Sequence, residues 1–184
     1  MNNLSFMWQY LTKPRTTGAI LPSSSYLAKK MVENIDFANA QFVVEYGPGT
    51  GAFTDHILKI RSADTVLLLI EKNGEFCSWL NDKYSHEPNL YIINDSAENI
   101  AKHLAAHDAK HADYIVSGLP FTSLPQDVST KILAQTKKYL KPGGRFITFQ
   151  YTLVKKKNFM LHFENIEITR EIRNIPTAYV LSCY

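Results

Sequence analysis

The segment Val43-Val-Glu-Tyr-Gly-Pro-Gly-Thr-Gly51 constrains the fold of this chain more than any other. It is a short apolar run that ends in alternating glycines, and a helix-compatible stretch follows. Glycine permits positive φ and close approach to a ligand, and the first N–H groups of a helix have no partners within it. Nucleotide-type ligands bind at such turns. The G-x-G-x-G spacing differs from the dinucleotide G-x-G-x-x-G pattern and from the P-loop. On this segment alone, a plain strand-to-helix turn is the alternative.

Strand-like and helix-like segments alternate from about residue 40 onward. Lys141-Pro-Gly-Gly144 is a sharp helix stop, and Glu164–Arg173 and Ala178–Tyr184 then follow as two strands in succession. Such alternation predicts a parallel sheet. The predicted fold class is α/β, a seven-stranded, mostly parallel Rossmann-like sheet with helices on both faces and an antiparallel C-terminal strand pair. The five alternating strands are predicted at 41–45, 66–70, 90–93, 112–116 and 145–151, and the helices at 52–60, 75–84, 97–107 and 126–140.

Two acidic residues stand where the second and third predicted strands end. Glu71 can accept two hydrogen bonds from ribose hydroxyls, and Asp95 can accept one from the exocyclic amine of adenine. Taken singly, each acid can also be an ordinary solvated loop residue. Ligands of open α/β sheets bind at the carboxyl edge of the strands. We therefore expect the glycine loop and both acids to form one nucleotide site.

The composition is that of an ordinary globular domain. The chain has 184 residues, of which 45% are hydrophobic and 20% charged, with a net charge of +3. One domain is expected over 1–184, with an N-terminal helix and flap at 1–30 and a core at 41–184. A dedicated nucleic-acid binder is usually more basic. Cys77 and Cys183 match no metal or redox spacing, and neither a membrane span nor a signal peptide is evident. We expect a cytoplasmic protein, or one peripheral to the inner face of the membrane.

Together with Gly143-Gly144, these features resemble the class I S-adenosylmethionine-dependent methyltransferases over about residues 41–151. The resemblance implies a methyltransferase enzyme with S-adenosyl-L-methionine as its cofactor and no metal. The cofactor-binding residues that it implies are Thr17, Glu45, Gly47, Pro48, Gly49, Thr50, Gly51, Glu71, Lys72, Asp95, Ser96, Ala97 and Ser117.

A second, narrower resemblance extends over nearly the whole chain. The segments Lys13–Ser24, Ser117-Gly-Leu-Pro-Phe121 and Thr148-Phe-Gln-Tyr151 are similar to those of bacterial phospholipid N-methyltransferases. Those enzymes methylate the amine of phosphatidylethanolamine, so the resemblance implies that substrate. A small-molecule methyltransferase and a non-catalytic binding module are further alternatives.

The competing resemblance is to the rRNA adenine dimethylases, which share the glycine loop. Members of that family carry Asn-Leu/Ile-Pro-Tyr/Phe after the fourth strand, where the Asn helps to hold the target adenine amine. Gly118 stands at that position here. Those enzymes also carry a helical RNA domain, whereas this sequence reaches Tyr184 within the predicted sheet. RNA is therefore the less favoured partner.

The resemblance implies catalytic roles for residues that follow the fourth and fifth strands. Ser117 and the backbone of Gly118 would orient the acceptor amine, and the hydroxyl of Tyr151 would reach the site. Core packing is the alternative for Tyr151. The predicted substrate-binding residues are Leu119, Pro120 and Phe121, with Phe121 as an aromatic wall or, alternatively, as a buried ring in a tight turn.

The N-terminal segment has an apolar stripe with helical spacing. Leu4, Met7, Trp8 and Leu11 fall at i, i+3, i+4 and i+7, and a basic flank follows at 13–15. Such a helix suits a membrane interface, although it could equally cap the protein's own core. Residues 1–20 are therefore a candidate peripheral membrane contact, and a monomer is favoured.

Two other patterns carry less weight. His103 and His107 are spaced i, i+4 on a predicted helix, but no third ligand follows on that face, so no metal site is expected. The run Lys155–Lys157 is either a solvated loop or a contact for lipid or RNA phosphates.

Overall fold

A computed structural model describes residues 24–184 of the chain. The predictions for the N-terminal helix, for the flap and for Thr17 therefore lie outside the described residues. Among the residues described, no helix is both long and apolar enough to span a membrane.

The described residues form a seven-stranded sheet, as predicted. Six strands run in the same direction, and the last strand along the chain inserts antiparallel between the fifth and sixth. The order across the sheet is β3-β2-β1-β4-β5-β7-β6. The strands are β1 Phe42–Tyr46, β2 Val66–Glu71, β3 Leu90–Asn94, β4 Ala112–Ser117, β5 Leu140–Gln150, β6 Ile166–Glu171 and β7 Ala178–Cys183.

Helices cover both faces of the sheet. Side-chain caps begin two of them, because Ser24 accepts from the backbone N–H of Leu27 and Asn73 accepts from those of Glu75 and Phe76. Such caps satisfy N–H groups that have no partner inside the helix. The helices are α1 Ser25–Val32, α2 Thr54–Ile60, α3 Gly74–Lys83, α4 Ile100–Ala106 after a 3₁₀ turn at Ala97–Asn99, α5 Gln126–Tyr139 and α6 Lys156–Met160.

Strand side chains alternate between two buried layers. Val43 of β1 lies in the layer that contains α1, and Val44 lies in the opposite layer. The second layer contains an aromatic group in which Phe146 packs against Phe121, Phe159 and Phe163. Burial on both faces explains why the central strands are continuous apolar runs.

The structure corrects the predicted boundary between the last predicted helix and the fifth strand. Helix α5 ends at Tyr139, and β5 begins at Leu140 rather than Arg145, with a register shift between the pairs made by Ala112 and Tyr114. Residues Lys141–Gly144, which the sequence predicts as the end of a helix, therefore form the irregular first part of β5. Helix α6 was not predicted, and it positions Phe159 in the aromatic group.

Candidate active site

The glycine loop joins β1 to α2 at the carboxyl edge of the sheet. Gly47, Gly49 and Gly51 have φ values of 61°, 56° and 87°, a region that favours glycine. The N–H of Gly47 donates to the carbonyl of Ile70 on β2 at 2.9 Å, which fixes the loop to the neighbouring strand. A Cβ built on Gly49 would meet no atom within 4 Å. The loop backbone is therefore open to a ligand at Gly49.

Glu71 closes β2 and connects it to the glycine loop. Its Oε2 accepts from the Gly49 N–H at 3.1 Å, and its Oε1 accepts from the Asn73 N–H at 2.9 Å. Burial raises the pKa of Glu71, although these backbone hydrogen bonds act in the opposite direction. Each carboxylate oxygen keeps a further acceptor position, as the predicted contact with two ribose hydroxyls requires.

Asp95 follows β3 and is held by a dense hydrogen-bond network. Asn99 and the backbone N–H of Ser96 donate to Oδ1, and His103 Nε2 lies 2.8 Å from Oδ2. The hydrogen bonds from Asn99, Ser96 and His103 lower its pKa to about 2. The carboxylate is thus ionised and fixed in orientation at the edge where adenine is expected.

Glu45 lies beneath the loop, fully buried in β1. Thr54 Oγ1 donates to its Oε2 at 2.7 Å, while its Oε1 has no hydrogen-bond partner among the described residues. Burial raises the pKa of Glu45 to about 8, despite the hydrogen bond from Thr54. The carboxyl is therefore largely protonated at neutral pH in the protein without a ligand, and Oε1 is a buried polar atom that a hydrogen bond to a bound ligand would satisfy.

The loop after β4 packs directly against the glycine loop. The N–H of Gly118 donates to the carbonyl of Tyr46 at 2.8 Å. A Cβ on Gly118 would lie 2.7 Å from the carbonyl oxygen of Gly47, and one on Gly47 would lie 2.7 Å from Leu119 Cδ2. The absence of side chains at both glycines thus allows the two loops to meet.

Ser117 is fully buried at the end of β4. Its Oγ accepts from the Leu119 N–H at 3.2 Å, and its carbonyl accepts from Thr148 Oγ1 at 3.3 Å. The hydroxyl therefore shapes the loop, and its predicted direct role with the acceptor amine stays a prediction.

Phe121 is fully buried, in a T-shaped contact with Phe159 at 5.2 Å between ring centroids. The buried-ring alternative describes this side chain, so we assign Phe121 to the core and do not treat it as a wall of the site. Lys155 Nζ donates to the carbonyls of Phe121 and Leu124 at 3.2 and 3.3 Å. Lys155 thus holds the loop in place and is only in part a solvated residue.

The end of β5 contributes Gln150 and Tyr151. The ring of Tyr151 packs against Phe149 at 5.5 Å between centroids and is half-buried, and burial raises the pKa of its hydroxyl. Gln150 is buried, and its Nε2 has no partner among the described residues. Although Gln150 lies in the Thr148–Tyr151 motif, the sequence assigned it no role, because a sequence pattern does not show which buried polar atoms lack a partner.

The remaining predicted cofactor residues surround these groups. Pro48 and Ala97 are buried, Thr50 and Ser96 are half-buried, and Lys72 is exposed. Ser96 caps the 3₁₀ turn by accepting from the Glu98 N–H at 3.4 Å.

His103 and His107, which have the i, i+4 spacing of metal ligands, contact other groups. His103 is bonded to Asp95, and the ring of His107 packs on that of Tyr91 at 4.2 Å. Residues 24–184 contain no cluster of three or more metal-ligating side chains. The helical spacing of the two histidines does not reveal the contact of His103, because its partner Asp95 precedes the helix in a loop.

The open backbone at Gly49, the Glu45 Oε1 with no partner within residues 24–184, and the fixed carboxylates of Glu71 and Asp95 fit an adenosyl amino-acid ligand. The sheet order and this site define a class I S-adenosylmethionine-dependent methyltransferase. The family model for ribosomal RNA adenine dimethylase matches residues 5–166. The chain therefore belongs to that family.

Individual relatives differ in what their names describe. An ornithine lipid N-methyltransferase of Singulisphaera acidiphila is 27% identical over 97% of this chain and 93% of its own length. A ribosomal RNA small subunit methyltransferase A of Pelagibacter ubique is 32% identical over 64% of this chain, which spans only 39% of that protein. Among solved structures, the CurJ carbon methyltransferase is similar with a TM-score of 0.68 and 12% identity, covering 100% of this chain and 61% of that one. This last likeness concerns the fold alone.

Proposed function

We propose that this enzyme methylates the primary amine of a membrane lipid head group, with phosphatidylethanolamine or an ornithine lipid as the acceptor. The observation that carries the proposal is the contact between Gly118 and the glycine loop. A side chain at position 118 would begin 2.7 Å from the carbonyl oxygen of Gly47. The asparagine by which rRNA adenine dimethylases hold their target base has no room here. An acceptor recognised by backbone groups is therefore favoured over a base.

A relative that matches along nearly the whole chain also supports a lipid acceptor. That protein is named for methylation of an ornithine lipid, and the match covers 97% of this chain and 93% of the relative. The rRNA methyltransferase of Pelagibacter ubique matches over 64% of this chain. Both lipid head groups present a primary amine on a flexible chain, so one site can serve either chemistry.

When bound, S-adenosylmethionine supplies an electrophilic methyl group, and the amine nitrogen forms its new bond to carbon in line with the breaking bond to sulfur. The acceptor must be neutral to attack. Leu119 and Pro120 are half-buried apolar residues at the predicted acceptor position. Their desolvation of an amine favours its neutral form, and the proton leaves to water.

Gln150 completes the proposed acceptor site. It ends β5, next to β4, whose following loop contains Leu119. Its buried Nε2 has no partner among the described residues. A buried donor of this kind is satisfied when an acyl or phosphate oxygen of the head group accepts from it. Gln150 would thereby orient the head group, while backbone carbonyls of the 117–119 loop accept from its amine.

The first experiment supplies labelled S-adenosylmethionine together with three acceptors in separate reactions. These are phosphatidylcholine vesicles with phosphatidylethanolamine, the same vesicles with ornithine lipid, and naked 16S and 23S rRNA. Glu71→Gln places an NH₂ group opposite one of two backbone N–H donors and should abolish transfer to every acceptor. The matched control is Glu164→Gln at an exposed position.

Label in either lipid, lost in Glu71→Gln and retained in Glu164→Gln, is the expected result. Label in RNA alone would contradict the proposal and favour the second candidate, rRNA adenine N6 methylation, which the family match supports. Label in neither fraction, with cofactor binding intact, would point to a small-molecule acceptor. A cytoplasmic location with contact at the inner face of the membrane belongs to the same proposal.

A further inference from the structure

The connection between β6 and β7 presents large apolar side chains to solvent. Ile172 is 70% exposed and Ile175 is 86% exposed. We call residues 172–177 the hairpin tip. Single exposed apolar residues are ordinary on a protein surface. Two isoleucines exposed to this degree within four residues, however, contribute little to the core. Their exposure is explained if they contact a partner that is not among the described residues.

The hairpin tip lies at the same edge of the sheet as the active site. Gln150, the last residue of β5, pairs with Tyr179 of β7. Ala178, one residue before Tyr179, pairs with Glu171 at the end of β6. The residues that join Glu171 to Ala178 thus project from the carboxyl edge of the parallel strands, where the glycine loop and the 117–121 loop also lie.

The segment after β5 carries a second part of this surface. Val154 is 84% exposed, and Lys155–Lys157 follow it at the start of α6. We call residues 152–158 together with the hairpin tip the interfacial rim. With the adjoining end of β6, residues 168–171, the rim contains five cationic side chains. Lys156, Lys157 and Arg170 form no ion pair with the described residues, whereas Arg173 pairs with Glu171 and Lys155 is bonded to two backbone carbonyls.

We infer that the interfacial rim inserts its apolar side chains into an anionic lipid bilayer, so that the site opens onto the membrane surface. Isoleucine and valine side chains gain free energy on leaving water, and the surrounding cations are attracted by anionic head groups. Three apolar side chains are far fewer than the 20–30 residues a side, about 800 Å² per partner, of a stable protein interface. The surface therefore suits a bilayer better than a second copy of this chain.

This inference rests on the proposed function, because a lipid acceptor places the site at a bilayer. Its test measures binding separately from methyl transfer. Vesicles of phosphatidylcholine, phosphatidylethanolamine and phosphatidylglycerol are titrated with the full chain and partition is measured by flotation. The double variant Ile172→Ser/Ile175→Ser should bind about tenfold more weakly, since two buried isoleucines are removed from the interface.

Ile60 provides the matched control. It is also an exposed isoleucine, 51% accessible, but it ends α2, which runs away from the glycine loop to the opposite edge. Ile60→Ser should bind vesicles like the wild type. Replacing phosphatidylglycerol with phosphatidylcholine, or adding salt, should weaken binding of the wild type. Equal binding by wild type and the double variant would overturn the inference, as would failure of the wild type to bind.

A fluorescent probe separates the bilayer from the other occupants. An environment-sensitive label is attached at Ile175→Cys and, for comparison, at Ile60→Cys; the native Cys77 and Cys183 are buried. The label at 175 should shift to the blue on addition of vesicles, and the label at 60 should not. A blue-shifted signal without vesicles would show that residues 1–23 or a second copy cover the rim, which would contradict the inference.

The two proposals can fail separately. If vesicles bind through the isoleucines but no lipid is methylated, the proposed function is wrong and the membrane surface stands. If lipid is methylated while the double variant binds normally, the surface is wrong and the function stands. With both correct, the double variant should lose transfer to vesicles and keep transfer to the same lipid dispersed in detergent micelles.

Discussion

His103 Nε2 lies 2.8 Å from Oδ2 of Asp95, so a buried histidine of α4 holds the carboxylate predicted to bind adenine. We expect His103→Ala to weaken S-adenosylmethionine binding about fivefold, because one hydrogen bond contributes about 1 kcal/mol. Calorimetric titration measures the dissociation constant. His107→Ala, whose ring packs on Tyr91 at the end of the same helix, should leave it unchanged.

A cofactor analogue shows whether His103 acts through Asp95. With the exocyclic amine of adenine replaced by oxygen, Asp95 loses its predicted donor, and the difference between wild type and His103→Ala should disappear. An equal loss for both ligands would mean that His103 acts only on the packing of α4.

The second prediction concerns the contact between the two loops. Gly118→Ala places a Cβ 2.7 Å from the carbonyl oxygen of Gly47, so one loop must move. We expect methyl transfer to fall by more than about tenfold, which corresponds to about 1.4 kcal/mol, with an unchanged circular dichroism spectrum. Gly74→Ala is the comparison, since its Cβ would make only an ordinary contact of 3.5 Å with Asn94. Full activity of Gly118→Ala would remove the main support for the lipid acceptor.

Gln150→Leu separates function from stability. Leucine keeps much of the volume but removes a buried amide whose Nε2 has no described partner, so thermal stability should be equal or higher. Transfer to lipid should nevertheless fall, while the dissociation constant of S-adenosylmethionine stays the same. Initial rates and thermal melting give the two readouts. Unchanged rates would exclude Gln150 from the acceptor site.

Glu45 gives a pH-dependent prediction for the protein without cofactor. Its pKa is raised from 4.5 to about 8, so its contribution to stability is fully present below pH 4.5 and is lost as pH rises toward 8. Glu45→Gln has no such titration and keeps an acceptor for Thr54. The variant should therefore gain stability relative to wild type between pH 4.5 and 8. Urea unfolding at several pH values measures this, and a constant difference would contradict it.

Asp113 stabilises the opposite edge of the sheet. Its Oδ2 accepts from the backbone N–H groups of Gln41 and Phe42, both at 2.9 Å, and Lys141 donates to its Oδ1. Asp113→Ala leaves these donors unpaired and should cost about 2–3 kcal/mol of unfolding free energy. Activity well below the melting temperature should persist, since the site is at the other edge. Asp64→Ala, at an exposed position, is the control.

The pH dependence of this contribution has the opposite sign to that of Glu45. Burial would raise the pKa of Asp113, but the hydrogen bonds from Lys141 and the two backbone groups outweigh it and lower the pKa below 3.8. The stabilisation is therefore present above pH 3.8 and is lost as pH falls through the folded-state pKa. The gap between wild type and Asp113→Ala should narrow in acid.

Local patterns were enough to predict the sheet and to place the glycine loop, Glu71 and Asp95 at one edge of it, while their contacts with the cofactor stay predictions. Continuous apolar runs identify buried parallel strands, and glycines and acids placed just after those runs must meet at one edge. Position along a strand therefore fixes position in space for the glycine loop, for Glu71 and for Asp95. Each is a short-range signal, and the structure has each at its predicted strand end.

Contacts between residues far apart in sequence required the folded chain. Phe121 looks like a wall from its motif, but its ring packs among side chains of β5 and α6. Lys155 belongs to an apparently solvated run, yet it binds carbonyls more than 30 residues away. The lack of space at Gly118, and the lack of a partner for Gln150 Nε2 among the described residues, likewise depend on neighbours from other strands. Hydrophobic periodicity predicts which face of a helix or strand a residue occupies. The contact partners of a side chain, and the space left beside it, are set only when the strands and loops pack together.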